Sequence, residues 1–324
     1  MPNRTRGSGA TEEGTSRLPR LGSLLVPLDL TPVSDRVVGR LARLPLAPGA
    51  RITLLHVVPD SLPAGAQRRA ERDAKRVLAD TRASLVKGLS KGIAVQTVVR
   101  FGAAAREISA NAAATDADLV VMGRGGERGL RDHFLGSTAE RVIRQVQRPV
   151  LAVRLLPRKA YQRPALALEL DQAPEAVLAL ALRLLAPPRP SISVIHAAER
   201  PYRGLVYPSL SQLDAEEDRE HYRQRAIDAL RRRLNNALTQ VKAPMTEVPA
   251  WRFHVRVGDP RSVVSSIVRK EHVDLLALAT RGYRGLAHAF LGTVAGDLLR
   301  QVTCDVLMVP PPQRARVGSR DSGE

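Results

Sequence analysis

The sequence contains two copies of one unit, because motifs in its first half recur at a constant distance in its second half. Recurrence at a fixed spacing is the signature of a duplicated domain. Four segments recur 156 positions later: Asp118-Leu119 as Asp274-Leu275, Arg128-Gly129-Leu130 as Arg284-Gly285-Leu286, Phe134-Leu135-Gly136-Ser137 as Phe290-Leu291-Gly292-Thr293, and Arg144-Gln145-Val146 as Arg300-Gln301-Val302. Near the start of each copy the distance is 140, as between His56 and His196. The difference between 156 and 140 means that the second copy carries 16 extra residues.

The length of the chain agrees with this duplication, since 324 residues correspond to two domains of about 150 residues each. We expect a first domain at 21–156, a linker at 157–163 and a second domain at 164–310, with the 16-residue insertion within 199–250. The ends at 1–20 and 311–324 are polar and rich in Gly, Ser and Arg, which predicts disordered tails.

Short apolar runs alternate with longer helical patterns in each copy, which predicts βαβ units and a parallel sheet. The strands predicted in the first copy are Ser23–Leu28, Ile52–Val57, Ala94–Arg100, Asp118–Gly123 and Pro149–Arg154. The helices predicted between them are Pro32–Leu44, Ala66–Gly88, Ala104–Ala114 and Ser137–Gln145. The strands predicted in the second copy are Ala165–Glu169, Ser191–His196, Arg252–Val257, Asp274–Ala279 and Asp305–Val309, with an elongated second helix over Ser211–Val241. The expected fold class is α/β, with two tandem open five-stranded parallel-sheet domains that carry helices on both faces in a Rossmann-like arrangement.

The amino-acid composition of the chain restricts the classes of molecule that it is expected to bind. The 50 Lys and Arg residues exceed the 32 Asp and Glu residues, and the resulting charge of +18 attracts phosphorylated ligands, anionic lipid and nucleic acid. Aromatic residues make up only 3%, which leaves few rings to stack on bases and disfavours nucleic acid as a partner. No segment approaches the ~20 apolar residues that span a bilayer, and residues 1–20 lack the apolar segment of a signal peptide. The single cysteine, Cys304, forms no internal disulfide, so a cytoplasmic protein without membrane contact is expected.

A glycine-rich segment between a predicted strand and a predicted helix is the motif that most directly indicates a ligand. Gly123 and Gly126 are followed after nine residues by Gly136 and Ser137. Glycines allow the backbone to approach a ligand closely, and a helix that begins at Ser137 offers N–H groups, a hydroxyl and a favourable dipole to an anion. The alternative is that Gly136 and Ser137 only turn the chain and cap the helix. Position favours a phosphate site, because open α/β sheets bind ligands at the carboxyl ends of their strands.

Asp29 follows the first predicted strand at the same edge of the sheet. Its carboxylate is suited to accept a hydrogen bond from an adenine amino group or a ribose hydroxyl. The alternative is a solvated loop acid near the N-terminus of the first helix, where a negative charge is also favourable.

These motifs, in this order, resemble the universal stress protein family over both copies. The resemblance rests on Leu25-Val26-Pro27-Leu28-Asp29, on Leu54-Leu55-His56-Val57, on Asp118-Leu119-Val120-Val121-Met122-Gly123, and on the G-x2-G-x9-G-(S/T) loop. It implies a fold related to the adenine nucleotide alpha hydrolases, and in nucleotide-binding members a site for ATP. By this resemblance Asp29 and Val57 would contact adenine, and the ribose and phosphates would lie against Gly123, Gly126, Gly136, Ser137 and Thr138. It also implies that the two domains pair through their last strands within the chain, and it leaves a homodimer of two chains open.

The second copy departs from the motif at two positions. Glu169 stands where Asp29 does, and Ala279 replaces the first glycine of the loop, although Gly282, Gly292 and Thr293 remain. A longer acid and an added Cβ both reduce the space for a nucleotide. We therefore predict one ATP site in the first copy and a weakened or empty site in the second.

The sequence contains no catalytic set that would make the protein an efficient enzyme. Phosphoryl transfer needs a positioned base and charge-stabilising cations, and the G-x4-G-K-(S/T) loop is missing. Arg124, Arg128 and Arg131 lie in or beside the loop, where they either neutralise phosphate charge or are solvated. Mg2+ needs few protein ligands when it accompanies ATP. The open alternatives are an ATP-binding interaction module with an unknown protein partner, an ATP-independent stress scaffold, and a slow ATPase.

Overall fold

The computed structural model describes residues 18–124, 136–198, 212–244, 248–280 and 291–311, with the backbone alone for Val33 and 212–218. In the first copy the strands are β1 (Leu21–Pro27), β2 (Leu46–Val58), β3 (Ala94–Phe101), β4 (Leu119–Gly123) and β5 (Val150–Val153), and the helices are α1 (Val33–Leu41), α2 (Ala64–Gly88), α3 (Ala104–Ala114) and α4 (Ser137–Gln145). In the second copy the strands are β6 (Pro164–Ala167), β7 (Ile192–Ala198), β8 (Trp251–Val257), β9 (Leu275–Ala279) and β10 (Asp305–Val309), and the helices are α5 (Glu175–Arg183), α6 (Gln212–Gln240), α7 (Pro260–Lys270) and α8 (Thr293–Gln301).

The ten strands form one sheet in the order β3-β2-β1-β4-β5-β10-β9-β6-β7-β8. Within each half every neighbouring pair is parallel, as βαβ connections require. The halves meet where β5 pairs antiparallel with β10, with Leu151 opposite Leu307. The pairing of last strands that the resemblance implies is therefore present within the chain. It also follows that the carboxyl ends of the strands, where ligands bind in such sheets, point in opposite directions in the two halves.

Apolar layers cover both faces of the sheet. One layer packs α1, α2, α5 and α6 onto the sheet, with Leu24 and Leu78 among its buried residues. The other packs α3, α4, α7 and α8 onto the opposite face, with Leu25 and Val142 among its buried residues. Adjacent residues such as Leu24 and Leu25 point to opposite faces and both are buried, which explains why these strands are continuous apolar runs. The expected α/β class with helices on both faces is confirmed.

One strand is longer than the sequence predicts. Strand β2 begins at Leu46 rather than Ile52, because a register shift opposite β1 accommodates Pro48 and Gly49, which are typical of turns. The elongated helix predicted over Ser211–Val241 is confirmed as α6. Helix α6 has 29 residues and α2 has 25, so four of the 16 extra residues of the second copy lie in the helix.

The repeated motifs have the same structural task in each copy. Asp118 accepts hydrogen bonds from the N–H groups of Gly22 and Ser23 at 2.7 and 3.0 Å, and Asp274 accepts them from Gln162 and Arg163 at the same distances. In each copy the aspartate thereby holds the start of the first strand beside the fourth strand.

Gly102 and Gly258 are the second pair of repeated anchors. They follow β3 and β8 with φ values of +137° and +151°. Residues with a side chain rarely adopt this backbone conformation, because it is strained for them. Their N–H groups donate to Val58 and Ala198 at 3.0 and 3.1 Å. The recurrence of glycine at this position is therefore explained by backbone geometry.

A buried polar cluster, formed by Arg40, Tyr161 and Asp305, connects the two copies. Arg40 of α1 and Asp305 of β10 are 3% and 0% exposed, and the Arg40 Nε lies 3.0 Å from the Asp305 Oδ2. The Tyr161 hydroxyl donates to the same carboxylate at 2.8 Å, and its ring lies 4.1 Å from the Arg40 guanidinium carbon. The N–H groups of Arg154 and Leu155 donate to Oδ1, both at 2.8 Å. Burial raises the pKa of Asp305, while Arg40 and these hydrogen bonds oppose that shift.

Candidate functional site

Asp29 lies at the carboxyl end of β1, two residues after its last residue, and its side chain is exposed. Its Oδ1 accepts hydrogen bonds from the Thr31 N–H at 3.1 Å, the Thr31 hydroxyl at 2.8 Å and the Ser34 hydroxyl at 2.9 Å. Within the described ranges Oδ2 receives no hydrogen bond. The carboxylate is thus fixed at the start of α1 through one oxygen, with the second oxygen available to a ligand.

His56 and Val57 lie at the carboxyl end of β2. The His56 Nδ1 is 2.8 Å from the carbonyl oxygen of Leu28, and because a carbonyl only accepts, Nδ1 carries the proton. This hydrogen bond ties the residue before Asp29 to β2, while Val57 is partly buried against the layer of α3 and α4.

His196 makes the equivalent contact with Leu168 at 2.9 Å in the second copy. Burial lowers the pKa of His196, so its ring is neutral at pH 7. Both repeated histidines therefore have a structural role.

The glycine loop begins at the end of β4 and closes at the start of α4. Gly123 pairs with Val153 in the sheet, and the Gly136 N–H donates to the Arg124 carbonyl at 2.7 Å. Ser137 and Thr138 are exposed in the first turn of α4, and no side chain among the described residues caps its N-terminus. Gly126 lies outside the described residues, as do Arg128 and Arg131. The structure thus brings Asp29, Val57, Gly123, Gly136, Ser137 and Thr138 to the carboxyl ends of three adjacent strands, β2, β1 and β4.

The side chain of Arg124 leaves this edge and enters the second copy, an outcome that the sequence did not reveal. It is 5% exposed, and its two terminal nitrogens donate to the carbonyl oxygens of Val302 at 2.6 Å and Arg300 at 2.7 Å. These carbonyls are at the C-terminal end of α8, where a cation is favourable. Burial and the nearby charge of Arg154 lower the pKa of Arg124 to about 10, so it remains charged at pH 7. Arg124 is therefore neither solvated nor a phosphate ligand.

Replacing Arg124 with methionine is expected to lower the free energy of unfolding by about 1–3 kcal/mol, because the Arg300 carbonyl loses its buried donor. Val302 keeps a second donor, the Arg154 side chain at 2.7 Å. Urea denaturation of both proteins measures the difference. Arg148→Met is the matched control, because Arg148 pairs with Asp116 in an exposed ion pair worth about 1 kcal/mol at most. Equal losses in the two variants would contradict the role assigned to Arg124.

The second copy encloses a cavity of about 200 Å3 at the equivalent edge. Glu169, Ala279, Gly292 and Thr293 line it, together with Thr280, which occupies the position of Arg124. The Gly292 N–H donates to the Thr280 carbonyl at 2.8 Å, so the loop closes as in the first copy. Most other lining residues are apolar, and Gly282 lies outside the described residues.

Comparison with known proteins identifies the family. The model of the universal stress protein family matches the chain twice, at residues 21–154 and 161–310. The chain belongs to this family. A universal stress protein of Synechocystis sp. is 32% identical over 91 residues, which cover 28% of this chain and 56% of that protein. A universal stress protein of Methanocaldococcus jannaschii is 44% identical over 63 residues, which cover 19% of this chain and 37% of that protein. The chain thus spans about half or less of the length of these relatives.

Solved structures agree with the fold of a tandem universal stress protein. A universal stress protein from Archaeoglobus fulgidus has a TM-score of 0.63 and covers 89% of this chain and 98% of its own. A functionally unknown protein from Pseudomonas aeruginosa has a TM-score of 0.61 and covers 90% and 93%. Both are 16% identical to this chain, so the likeness establishes the fold.

Other reactive groups in the universal stress domains give no second site. Cys304 is buried, and burial raises the pKa of its thiol to about 12, so the thiol is protonated and shielded. In the described segments no three His, Cys, Asp or Glu side chains gather in a way that would hold a metal ion. The helices of the described segments include none with the length and apolar character that crossing a membrane requires.

Proposed function

We propose that this universal stress protein binds ATP in its first domain and acts in the cytoplasm as a nucleotide-gated interaction module. Asp29 and Val57 would hold the adenine, and the glycine loop with Gly136, Ser137 and Thr138 would hold the ribose and phosphates. The observation that carries the proposal is the convergence of these residues at the carboxyl ends of β1, β2 and β4. This edge is where open α/β sheets bind ligands.

The N-terminus of α4 supports the phosphate end of the proposed site. Its cap residue is Gly136, and the exposed hydroxyls of Ser137 and Thr138 flank its first N–H groups. In α7, by contrast, Asp259 accepts a hydrogen bond from the Ser262 N–H and occupies the helix end. No described side chain caps α4, so its first N–H groups are donors for a phosphate, which the helix dipole also favours.

The second domain is proposed as the weaker nucleotide site. Its cavity of about 200 Å3 is below the ~300–1,000 Å3 of most small-molecule pockets. Glu169 and Ala279 both line it, and each adds atoms relative to Asp29 and Gly123. Both substitutions therefore reduce the space for a nucleotide.

Rapid ATP hydrolysis is not part of the proposal. Arg124, one of the three loop arginines, donates to backbone carbonyls of α8 and is not directed at the phosphates. A charge-stabilising cation from this position is therefore missing, whereas Mg2+ can accompany ATP with few protein ligands. ATP would act by stabilising the loop and presenting a surface to a protein partner.

Calorimetric titration of ATP and Mg2+ into the nucleotide-free chain tests the proposal. We expect one site per chain. Two sites would show that Glu169 and Ala279 are tolerated. No binding would favour the ATP-independent scaffold and would assign the loops a structural role only. Titration of adenosine alone is the control, because the weaker affinity expected without phosphates separates the adenine contacts from the loop contacts.

A further inference from the structure

The cavity of about 200 Å3 in the second domain, which we call the second-domain cavity, is mainly apolar. Eleven of its sixteen lining residues are aliphatic residues or proline. Ala167 of β6, Ala197 of β7 and Leu278 of β9 belong to the apolar layer between the sheet and helices α7 and α8. Val264 of α7 and Leu298 of α8 line the cavity from the helix side. The cavity is thus bounded by three neighbouring strands and by both helices.

Two alanines of the second-domain cavity stand where the first copy has larger residues. At the distance of 140 positions Ala197 matches Val57, which is proposed to contact adenine, and Ala167 matches Pro27. Each alanine lacks carbon atoms that the residue of the first copy has, so the second copy has additional space on this face of the sheet. Space among aliphatic side chains favours an apolar ligand.

The second-domain cavity has also lost a polar group that is proposed to hold phosphates in the first domain. At the distance of 156 positions Val294 matches Thr138, so an apolar side chain replaces a hydroxyl in the first turn of α8. Among the described residues that line the cavity none is basic, and Glu169 is acidic. These substitutions favour an uncharged ligand over a phosphorylated one.

Two uncharged polar side chains, those of Gln172 and Thr280, line the second-domain cavity. Thr280 is 8% exposed, and neither side chain makes a hydrogen bond to the part of the chain that the structure describes. The backbone of each is fixed, because the Thr280 N–H donates to the Val309 carbonyl at 2.9 Å and the Gln172 carbonyl accepts from the Arg233 side chain at 2.6 Å. These groups suit one polar substituent on an otherwise apolar ligand.

We infer that the second-domain cavity binds a small uncharged aromatic molecule with one hydroxyl group, of the chemical class of the phenols. Apolar cavities of about 150 Å3 bind benzene, so about 200 Å3 holds one ring with a substituent. A rigid ring also loses less conformational freedom on binding than a flexible chain of the same size. The inference goes beyond the ATP site of the first domain and holds whether or not that site binds a nucleotide.

The test titrates phenol into the nucleotide-free full chain and follows the methyl resonances by NMR, with phenyl phosphate as the charged analogue. We expect one saturable phenol site per chain, and binding of phenyl phosphate that is weaker by about tenfold or more. ATP and Mg2+ at a concentration that fills the first domain should leave the affinity for phenol unchanged. Failure of ATP to bind would contradict the proposed function alone, because phenol is titrated without nucleotide.

Two variants locate the bound phenol. Ala197→Val restores the residue of the first copy, and because β-branched residues are favourable in strands it should fold and bind phenol about tenfold more weakly. Thr280→Val removes a hydroxyl and should weaken phenol binding by about two- to tenfold, while toluene, which has no hydroxyl, binds as before. Ala83→Val at an exposed position of α2 is the matched control and should bind phenol like the parent chain. Far-UV circular dichroism checks the fold of each variant.

Equal phenol affinity in Ala197→Val and the parent chain would overturn the inference. If Ala197→Val does not fold, equal phenol affinity in Thr280→Val and the parent chain would overturn it instead. Phenyl phosphate that binds as tightly as phenol would show that the second domain retains a phosphate site. Displacement of phenol by ATP, or resonance shifts that never saturate, would also contradict a separate site for an uncharged ring.

Discussion

The variant Arg40→Met is expected to unfold with a free energy about 3–5 kcal/mol lower than that of the parent chain. Arg40 and Asp305 are both almost fully buried, and the methionine leaves the carboxylate without its cation in a low-dielectric interior. It also removes the guanidinium from the face of Tyr161. Urea denaturation at pH 7 measures the difference.

This loss should depend on pH in a defined direction. Burial already raises the pKa of Asp305, and removal of Arg40 would raise it further above the ~3.9 of an unfolded aspartate. A group whose pKa is higher in the folded state contributes stability below its unfolded pKa and loses it as the pH rises through its folded pKa. The deficit of Arg40→Met should therefore be smallest near pH 4 and largest at neutral pH.

The controls for Arg40→Met come from a surface pair and from the double variant. Lys75→Met breaks the exposed pair with Glu71 and should cost about 0.5 kcal/mol or less at every pH. Arg40→Met/Asp305→Asn should lose less than the sum of the single variants, because it leaves no unpaired charge. A small, pH-independent loss for Arg40→Met would contradict the importance assigned to this ion pair.

The double variant Gly123→Val/Gly126→Val is expected to weaken ATP binding by about a hundredfold or more, below calorimetric detection. Each new side chain would occupy the space in which the loop backbone approaches the phosphates. The matched control is Gly282→Val in the second domain, which should leave the first site unchanged. Thermal unfolding checks that all variants fold. Undiminished ATP affinity in the double variant would show that the loop is not the phosphate site.

The elements that the sequence predicts best are those with strong local signals. The continuous apolar run Leu119-Val120-Val121-Met122 is typical of a strand buried on both faces and is found as β4, and helix α3 is found at its predicted bounds. Because the unit occurs twice, each element can be predicted from two segments of the sequence. Asp118 and Asp274 have equivalent contacts, as their spacing suggests. The extension of β2 was missed because Pro48 and Gly49 indicate a turn unless the neighbouring strand is known.

The candidate site could be placed from the sequence, but the directions of its side chains could not. The sequence is compatible with Asp29 as a ligand contact and as a loop acid, and the hydrogen bonds to Oδ1 show that it holds the start of α1. Arg124 lies within the loop along the chain, yet its partners are carbonyls at Arg300 and Val302. No local pattern contains a contact between residues so far apart.

The antiparallel pairing of β5 with β10 has a further consequence for how such a chain can evolve. Two identical subunits that paired through this strand would be related by a two-fold axis, so every substitution near the axis would occur twice and face its own image. Fusion into one chain removes that restriction. Arg124 is matched by Thr280, and Asp305 is matched by Pro149, so the contacts of Arg124 and of Asp305 between the copies are each made in one direction only. Asymmetric contacts of this kind would be lost if the two halves were separated and each was paired with itself.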